Sequence, residues 1–207
     1  LGEYDIARLA YEIERIDLGL AGGKQDQYAA TFGGFNYMEF NGDNVIVNPL
    51  RIRQRYVDEL THNLVLYYTD TSHVSADIIK EQQQNVKNKN NSSIESMHKV
   101  KEQAALMKEA LLKGDINRIG EILDFGWRYK KQMAKSVSNP QIDGIYNTAM
   151  KAGATGGKIS GAGGGGFMFF YCPDTARHTV IDALERLGGQ TKRYDFTAEG
   201  LKTWTMS

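Results

Sequence analysis

Gly156-Gly157-Lys158-Ile159-Ser160-Gly161-Ala162-Gly163-Gly164-Gly165-Gly166 runs directly into the apolar segment Phe167-Met168-Phe169-Phe170-Tyr171. Seven of these eleven residues are glycine. Such a run loses more backbone freedom on folding than any other, so it belongs where backbone must approach a ligand or another chain segment closely. A phosphate is the first ligand to test. Gly161 to Gly166 matches the G-x-G-x-x-G string, but that fingerprint needs a helix after it, and an aromatic strand-like run follows instead. The P-loop needs a glycine where Ala152 stands and a Ser or Thr where Ile159 stands. What remains is a glycine-rich turn between an incoming segment, Thr155 to Ser160, and an outgoing strand, Phe167 to Cys172. It either serves tight packing alone or holds a ligand against its backbone.

Two segments together carry a family resemblance. Lys158-Ile159-Ser160-Gly161-Ala162-Gly163-Gly164-Gly165 is similar to the C-terminal glycine-rich motif of the GHMP kinases, the superfamily of galactokinase, homoserine kinase, mevalonate kinase and phosphomevalonate kinase. Gly22-Gly23-Lys24-Gln25-Asp26-Gln27-Tyr28, followed by Thr31-Phe32-Gly33-Gly34, resembles the segment that bears the family's active-site aspartate. Two motifs in the right order are far more specific than either alone. The nearest branch is the one that phosphorylates sugar phosphates.

The resemblance implies an α+β fold: the remainder of a GHMP kinase N-terminal domain over residues 1–90, then the C-terminal domain over 91–207, an α/β sandwich with antiparallel strands. It implies Asp26 as the catalytic residue and Glu14 as a Mg²⁺ ligand, with Arg15 completing the family's Glu-Arg pair. Gly23, Lys24, Thr69, Thr71, Ser160, Gly161, Ala162, Gly163, Gly164 and Gly165 are the implied substrate and phosphate contacts. ATP and Mg²⁺ are the implied cofactors. The implied reaction transfers the γ-phosphoryl group of ATP to a sugar or sugar phosphate hydroxyl, with the anomeric hydroxyl of D-glycero-D-manno-heptose 7-phosphate as acceptor in this branch. A galactokinase-like or fucokinase-like acceptor, or a non-catalytic relative that binds sugar or nucleotide, are the alternatives. The family's upstream ATP-cradling loop is not within these residues, so the N-terminal part of the same protein is expected to complete the site. A homodimer is left open.

Composition bounds the rest. The 207 residues carry 25 basic and 25 acidic side chains and are 41% hydrophobic. Balanced charge gives no reason to expect nucleic acid or an anionic membrane surface as a partner. The expected setting is the cytoplasm, since no signal peptide or bilayer-length apolar run is visible and the single cysteine, Cys172, suits a reducing compartment. Cys172 reads as a small apolar residue at a strand end rather than a nucleophile. His62, His73, His98 and His178 have no metal-ligand spacing.

Periodicity orders the remainder. Ile6, Leu9, Ala10, Ile13 and Ile16 recur at helical spacing up to Gly19. Residues 35–40, 44–47 and 64–68 read as strands, the first two joined through Asn41-Gly42-Asp43. Residues 80–93, poor in hydrophobics, read as a solvated helix end and loop. Ser92 and Glu95 form a capping-box signature, Asp115 is placed to cap the next helix, and Asn139-Pro140 is a helix start. A last strand is expected over 191–196. Thr69, Thr71, Ser72 and Ser75 either approach the acceptor or cap the strand end.

Overall fold

A computed structural model describes residues 1–70 and 75–204. Thr71, one of the expected substrate contacts, and His73 lie outside the described residues. The chain divides into two compact units, Leu1–Ile52 with Asp195–Ser207, and Arg53–Tyr194.

The first unit begins with α1 (Glu3–Tyr11), which passes without a break into a π-helical turn over Glu12–Asp17. Gly19, at φ 65°, follows this turn. Next come α2 (Gln25–Phe32) and an antiparallel hairpin of β1 (Asn36–Asn41) and β2 (Asn44–Pro49). Its small core joins Ala7, Tyr28, Val45 and Val47, with Phe32 and Met38 against them. Tyr4 packs edge-on against Phe32 at 4.9 Å and its hydroxyl accepts from Val47 N at 3.0 Å, tying α1 to the hairpin. Leu9, Ile13 and Ile16 of the apolar stripe remain exposed.

The C-terminal segment closes this unit by crossing the end of α2. Gly34 N donates to Thr197 O and Leu201 N to Thr31 O, both at 3.0 Å. The two backbones touch. A Cβ on Gly33 would lie 2.2 Å from the Glu199 carbonyl carbon, and one on Gly200 would lie 2.0 Å from Thr31 O.

The second unit is a four-stranded antiparallel sheet with helices packed on it. Its strands are β3 (Leu64–Tyr68), β4 (Gly156–Ile159), β5 (Phe167–Tyr171) and β6 (Gln190–Lys192), in the order β4-β5-β3-β6. The helices are α3 (Gln54–Asn63), α4 (Ser75–Lys87), α5 (Asn91–Lys113), α6 (Ile119–Met133), α7 (Pro140–Lys151) and α8 (Ala176–Glu185). Trp127, Ile142, Ile145, Ala149 and Leu184 from the helices meet Val65, Ile159, Met168 and Phe170 from the sheet in one buried cluster. Cys172 lies in the same cluster, and burial pushes its thiol up to about 12. That is the behaviour of a packing residue rather than a nucleophile.

Local signals succeed where they are strong. Asn139 caps α7 by accepting from Ile142 N at 2.9 Å, with Pro140 in the first turn. The helix end and loop expected over 80–93 are the last turns of α4, to Lys87, and residues 88–90, with α5 starting at Asn91; Ile78 is buried on α4. Elsewhere the structure corrects the sequence reading. Asn90, not Ser92, caps α5, accepting from Ser93 N at 3.2 Å. Asp115 makes no capping bond and lies 4.0 Å from Arg118 instead. The last strand stops at Lys192, and the Tyr194 hydroxyl donates to the Thr61 and Leu64 carbonyls at 3.0 and 3.3 Å.

Candidate active site

The two sequence motifs fall in different units, and each has its own geometry.

In the first unit, the π-helical turn carries Glu14 and the first turn of α2 carries Asp26. Both line one cavity of about 750 Å³, with Gln27, Thr31 and the apolar side chains of Ile6 and Ile13 also on its wall. π-turns are rare and concentrate at functional sites. Asp26 sits in the first turn of α2, where the helix dipole favours an acidic side chain.

Glu14 is held by two partners on one of its oxygens. Gln27 Nε2 donates to Glu14 Oε2, and Arg15 Nη2 lies 3.5 Å from that oxygen. Arg15 also donates to the carbonyls of Gly23, Leu20 and Ala21 at 3.3, 3.5 and 3.4 Å, so it pins the turn leading into α2. Gly23 enters the geometry through that carbonyl. Lys24 points its charge at the hairpin: its ammonium donates to Gly42 O at 3.3 Å, lies 3.7 Å from Asp43, and sits 5.3 Å from the centre of the Tyr11 ring.

The donor set suits Mg²⁺. This ion takes hard oxygen ligands and typically needs only one or two carboxylates, the remainder being water and phosphate oxygens. Glu14 and Asp26 supply two carboxylates to one cavity, and Glu14 Oε1 has no protein partner among the described residues. Among the described residues no three His, Cys, Asp or Glu side chains cluster, so no all-protein metal cage competes with this arrangement.

In the second unit, the glycine run forms the turn of the β4-β5 hairpin. Gly161, Gly163, Gly164, Gly165 and Gly166 all take positive φ. The loop is fastened at both ends and in the middle. Ser160 N donates to Phe167 O at 2.8 Å, and Gly164 N to Val137 O at 2.9 Å. Both Thr69 N and Thr69 Oγ1 donate to Gly166 O, at 2.9 and 3.0 Å. A Cβ on Gly163 would lie 2.7 Å from Val137 O, so the loop lies backbone against backbone on the turn at 135–137. Glu81 of α4 holds that turn in its place, accepting from Lys135 N at 2.8 Å and Ser136 N at 3.2 Å, and these bonds with the Ser136 hydroxyl hold its carboxyl below the usual range.

These contacts qualify several expectations. The Gly164 N–H is spent on Val137 and is not a phosphate donor in this conformation. Thr69 is buried and its hydroxyl anchors the loop. Ala162 packs against the core, while Ser160 and Gly161 are exposed at the tip.

Sequence reasoning missed two groups here. Lys130 of α6 donates to the Gly161 carbonyl. Burial, with the Lys158 charge nearby, lowers its ammonium to about 7, and burial lowers Lys158 as well. Two half-buried amines therefore flank the glycine loop, a local field that favours an anion. Gln27 is the third missed residue. It follows Asp26 directly in sequence, yet nothing in the string marks a contact to Glu14 thirteen residues earlier.

Known proteins resemble the chain along nearly its whole length. Residues 107–190 match the family described as GHMP kinases C terminal. The chain is 49% identical over 205 residues to a D-glycero-alpha-D-manno-heptose 7-phosphate kinase from Campylobacter jejuni, covering 99% of this chain and 60% of that protein. It is 26% identical over 176 residues to a bifunctional fucokinase/GDP-fucose pyrophosphorylase from Arabidopsis thaliana, covering 84% of this chain and 16% of that one. Among solved structures, a D-glycero-D-manno-heptose 1-phosphate kinase from Bacteroides thetaiotaomicron superposes with a TM-score of 0.73 at 42% identity, over 99% of this chain and 57% of that chain. The chain thus spans about 60% of the length of the heptose phosphate kinases it matches.

Proposed function

We propose, from the match of residues 107–190 to the family described as GHMP kinases C terminal, that the chain is part of an ATP-dependent kinase whose acceptor is a heptose phosphate. The observation that carries this reading is the cavity of the first unit, where Glu14 and Asp26 lie on one wall. The two relatives named for heptose phosphates support the acceptor class, and they differ over which phosphate is already present.

In this reading Asp26 orients the acceptor hydroxyl and takes its proton as the oxygen–phosphorus bond to the γ-phosphoryl group forms and the bond to ADP breaks. Phosphoryl transfer asks mainly for positioning and charge stabilisation, so a single well-placed carboxylate suffices. Glu14 is the residue that would hold Mg²⁺ or its waters, and the ion would supply charge neutralisation at the phosphates. Within the second unit by itself, Lys130 and Lys158 stand beside the glycine turn. A phosphate beside them would favour their charged form. Gly23 and Lys24 act through the turn and the hairpin, supporting Asp26.

The test is ADP release by the complete protein with Mg-ATP and a panel of sugars, sugar 1-phosphates and sugar 7-phosphates. Turnover confined to a heptose phosphate supports the reading. Turnover on free fucose or galactose moves the protein to another branch with the chemistry intact, and nucleotide binding without turnover on any acceptor overturns the catalytic assignment.

A further inference from the structure

Gln27 is only 6% exposed, yet its side chain is half satisfied. Its Nε2 donates to Glu14 Oε2, while its Oε1 is buried without a partner. The orientation of this amide is fixed by chemistry: an ionised carboxylate only accepts, so the nitrogen must face Glu14 and the carbonyl must face away. An unpaired buried carbonyl costs about 1–3 kcal/mol, which offsets most of what a hydrogen bond to a carboxylate contributes. A residue whose purpose was stability alone gains little from this arrangement.

The gain lies in direction. Arg15 and Gln27 both address Oε2 of Glu14, and no described residue addresses Oε1. Arg15 is aimed chiefly by the three carbonyls of the turn it pins. Gln27 approaches from α2, next to Asp26, and the Thr31 hydroxyl one turn further on donates to the main-chain carbonyl of Gln27 at 2.8 Å, leaving the side-chain carbonyl as it is. Through this one contact the orientation of Glu14 is set by the helix that bears Asp26.

We propose that Gln27 is a positioning residue for the divalent-cation site: by occupying Oε2 it presents Oε1 of Glu14 to the ion and locks that carboxylate to the α2 frame. The inference rests on the reading of Glu14 as a cation ligand. Outer partners of this kind orient a ligand without touching the metal, and their loss typically weakens metal binding by about 10- to 100-fold.

The experiment is a Mn²⁺ titration of the complete protein in the presence of ADP, read by the electron paramagnetic resonance signal of free Mn²⁺, alongside thermal unfolding. Gln27→Met keeps the volume and removes both the donor and the orphan carbonyl. It should weaken Mn²⁺ binding at least about 10-fold while the melting temperature stays level or rises. Gln27→Asn, which withdraws the amide by one methylene, should weaken Mn²⁺ similarly and serves if the Met variant does not fold. A lowered melting temperature with unchanged Mn²⁺ affinity would make the bond purely structural and overturn the proposal. Glu14→Gln separates the two levels. If it weakens Mn²⁺ and the Gln27 variants do not, the positioning role falls and the cation site stands; if Glu14→Gln leaves Mn²⁺ binding unchanged, the cation site itself falls.

Discussion

The glycine loop and the Glu14–Asp26 cavity carry the two motifs that marked this chain, and they are built in opposite ways. The loop is over-determined: five glycines at positive φ, a carbonyl of the 135–137 turn against Gly163, and Thr69 fastening Gly166 by two bonds. The cavity is under-determined. It has an exposed Asp26, a Glu14 held by one oxygen, a buried amide with an orphan carbonyl and exposed apolar side chains nearby. Rigid backbone belongs where a ligand must meet a fixed shape; polar groups with unspent capacity belong where charge must move. The contrast predicts that substitutions in the loop read out as stability and substitutions in the cavity as chemistry.

The sharpest test is Asp26→Asn, which should lower turnover roughly 100- to 10,000-fold, the range of a lost acid–base contribution. Its melting temperature and nucleotide affinity should match the parent. An unfolded Asn variant would break the contrast, and parent-like turnover would sink the role of Asp26.

Next in size is Gly163→Ala. The new Cβ meets the Val137 carbonyl and the backbone stays at φ 131°, so denaturant melts should show a loss of roughly 2–4 kcal/mol. Gly161→Ala is the milder control. It carries the strain of φ 83° but meets no atom within 4 Å, and the expected loss is about 1–2 kcal/mol. Equal losses at the two positions would mean that packing against Val137 contributes nothing.

A further effect is one of slope. Lys130 falls from 10.5 to about 7 in the folded chain, so between about pH 7 and 10.5 the unfolded state binds the extra proton. Stability should therefore rise with pH across that window, with the cost fully in place below pH 7 where both states are protonated. Lys130→Met should flatten the rise seen in melts at pH 7, 8 and 9, without abolishing it, because Lys158 is lowered too. An unchanged slope would remove Lys130 from the account.

Legibility in the sequence followed the range of the interaction. The Asn139-Pro140 helix start could be read because a cap is decided within four residues. The β4-β5 hairpin could be read because glycine supply and an adjoining strand are both local. The capping box at Ser92 failed against a competing signal two residues earlier, and the strand end at Lys192 failed because Tyr194 is drawn to carbonyls of residues 61 and 64. Lys130 and Gln27 reach their partners across 31 and 13 residues, and no periodicity encodes such a meeting. Asp26 and Glu14 were reached through resemblance, since an acidic residue on a helix is otherwise a solvated side chain.

The crossing of the C-terminal segment over α2 has a consequence for synthesis. Gly34 and Thr31 bond to residues 197 and 201, so the end of the helix that bears Asp26 gains its last support from chain made some 165 residues later. Contacts of such sequence separation form late and slowly. On the ribosome the second unit can fold as soon as it emerges, while α2 waits with the Gly34 N–H and the Thr31 carbonyl unpaired. A nascent chain stalled before residue 197 should therefore hold a protease-resistant sheet unit and a protease-sensitive first unit, and release of the last residues should close the gap.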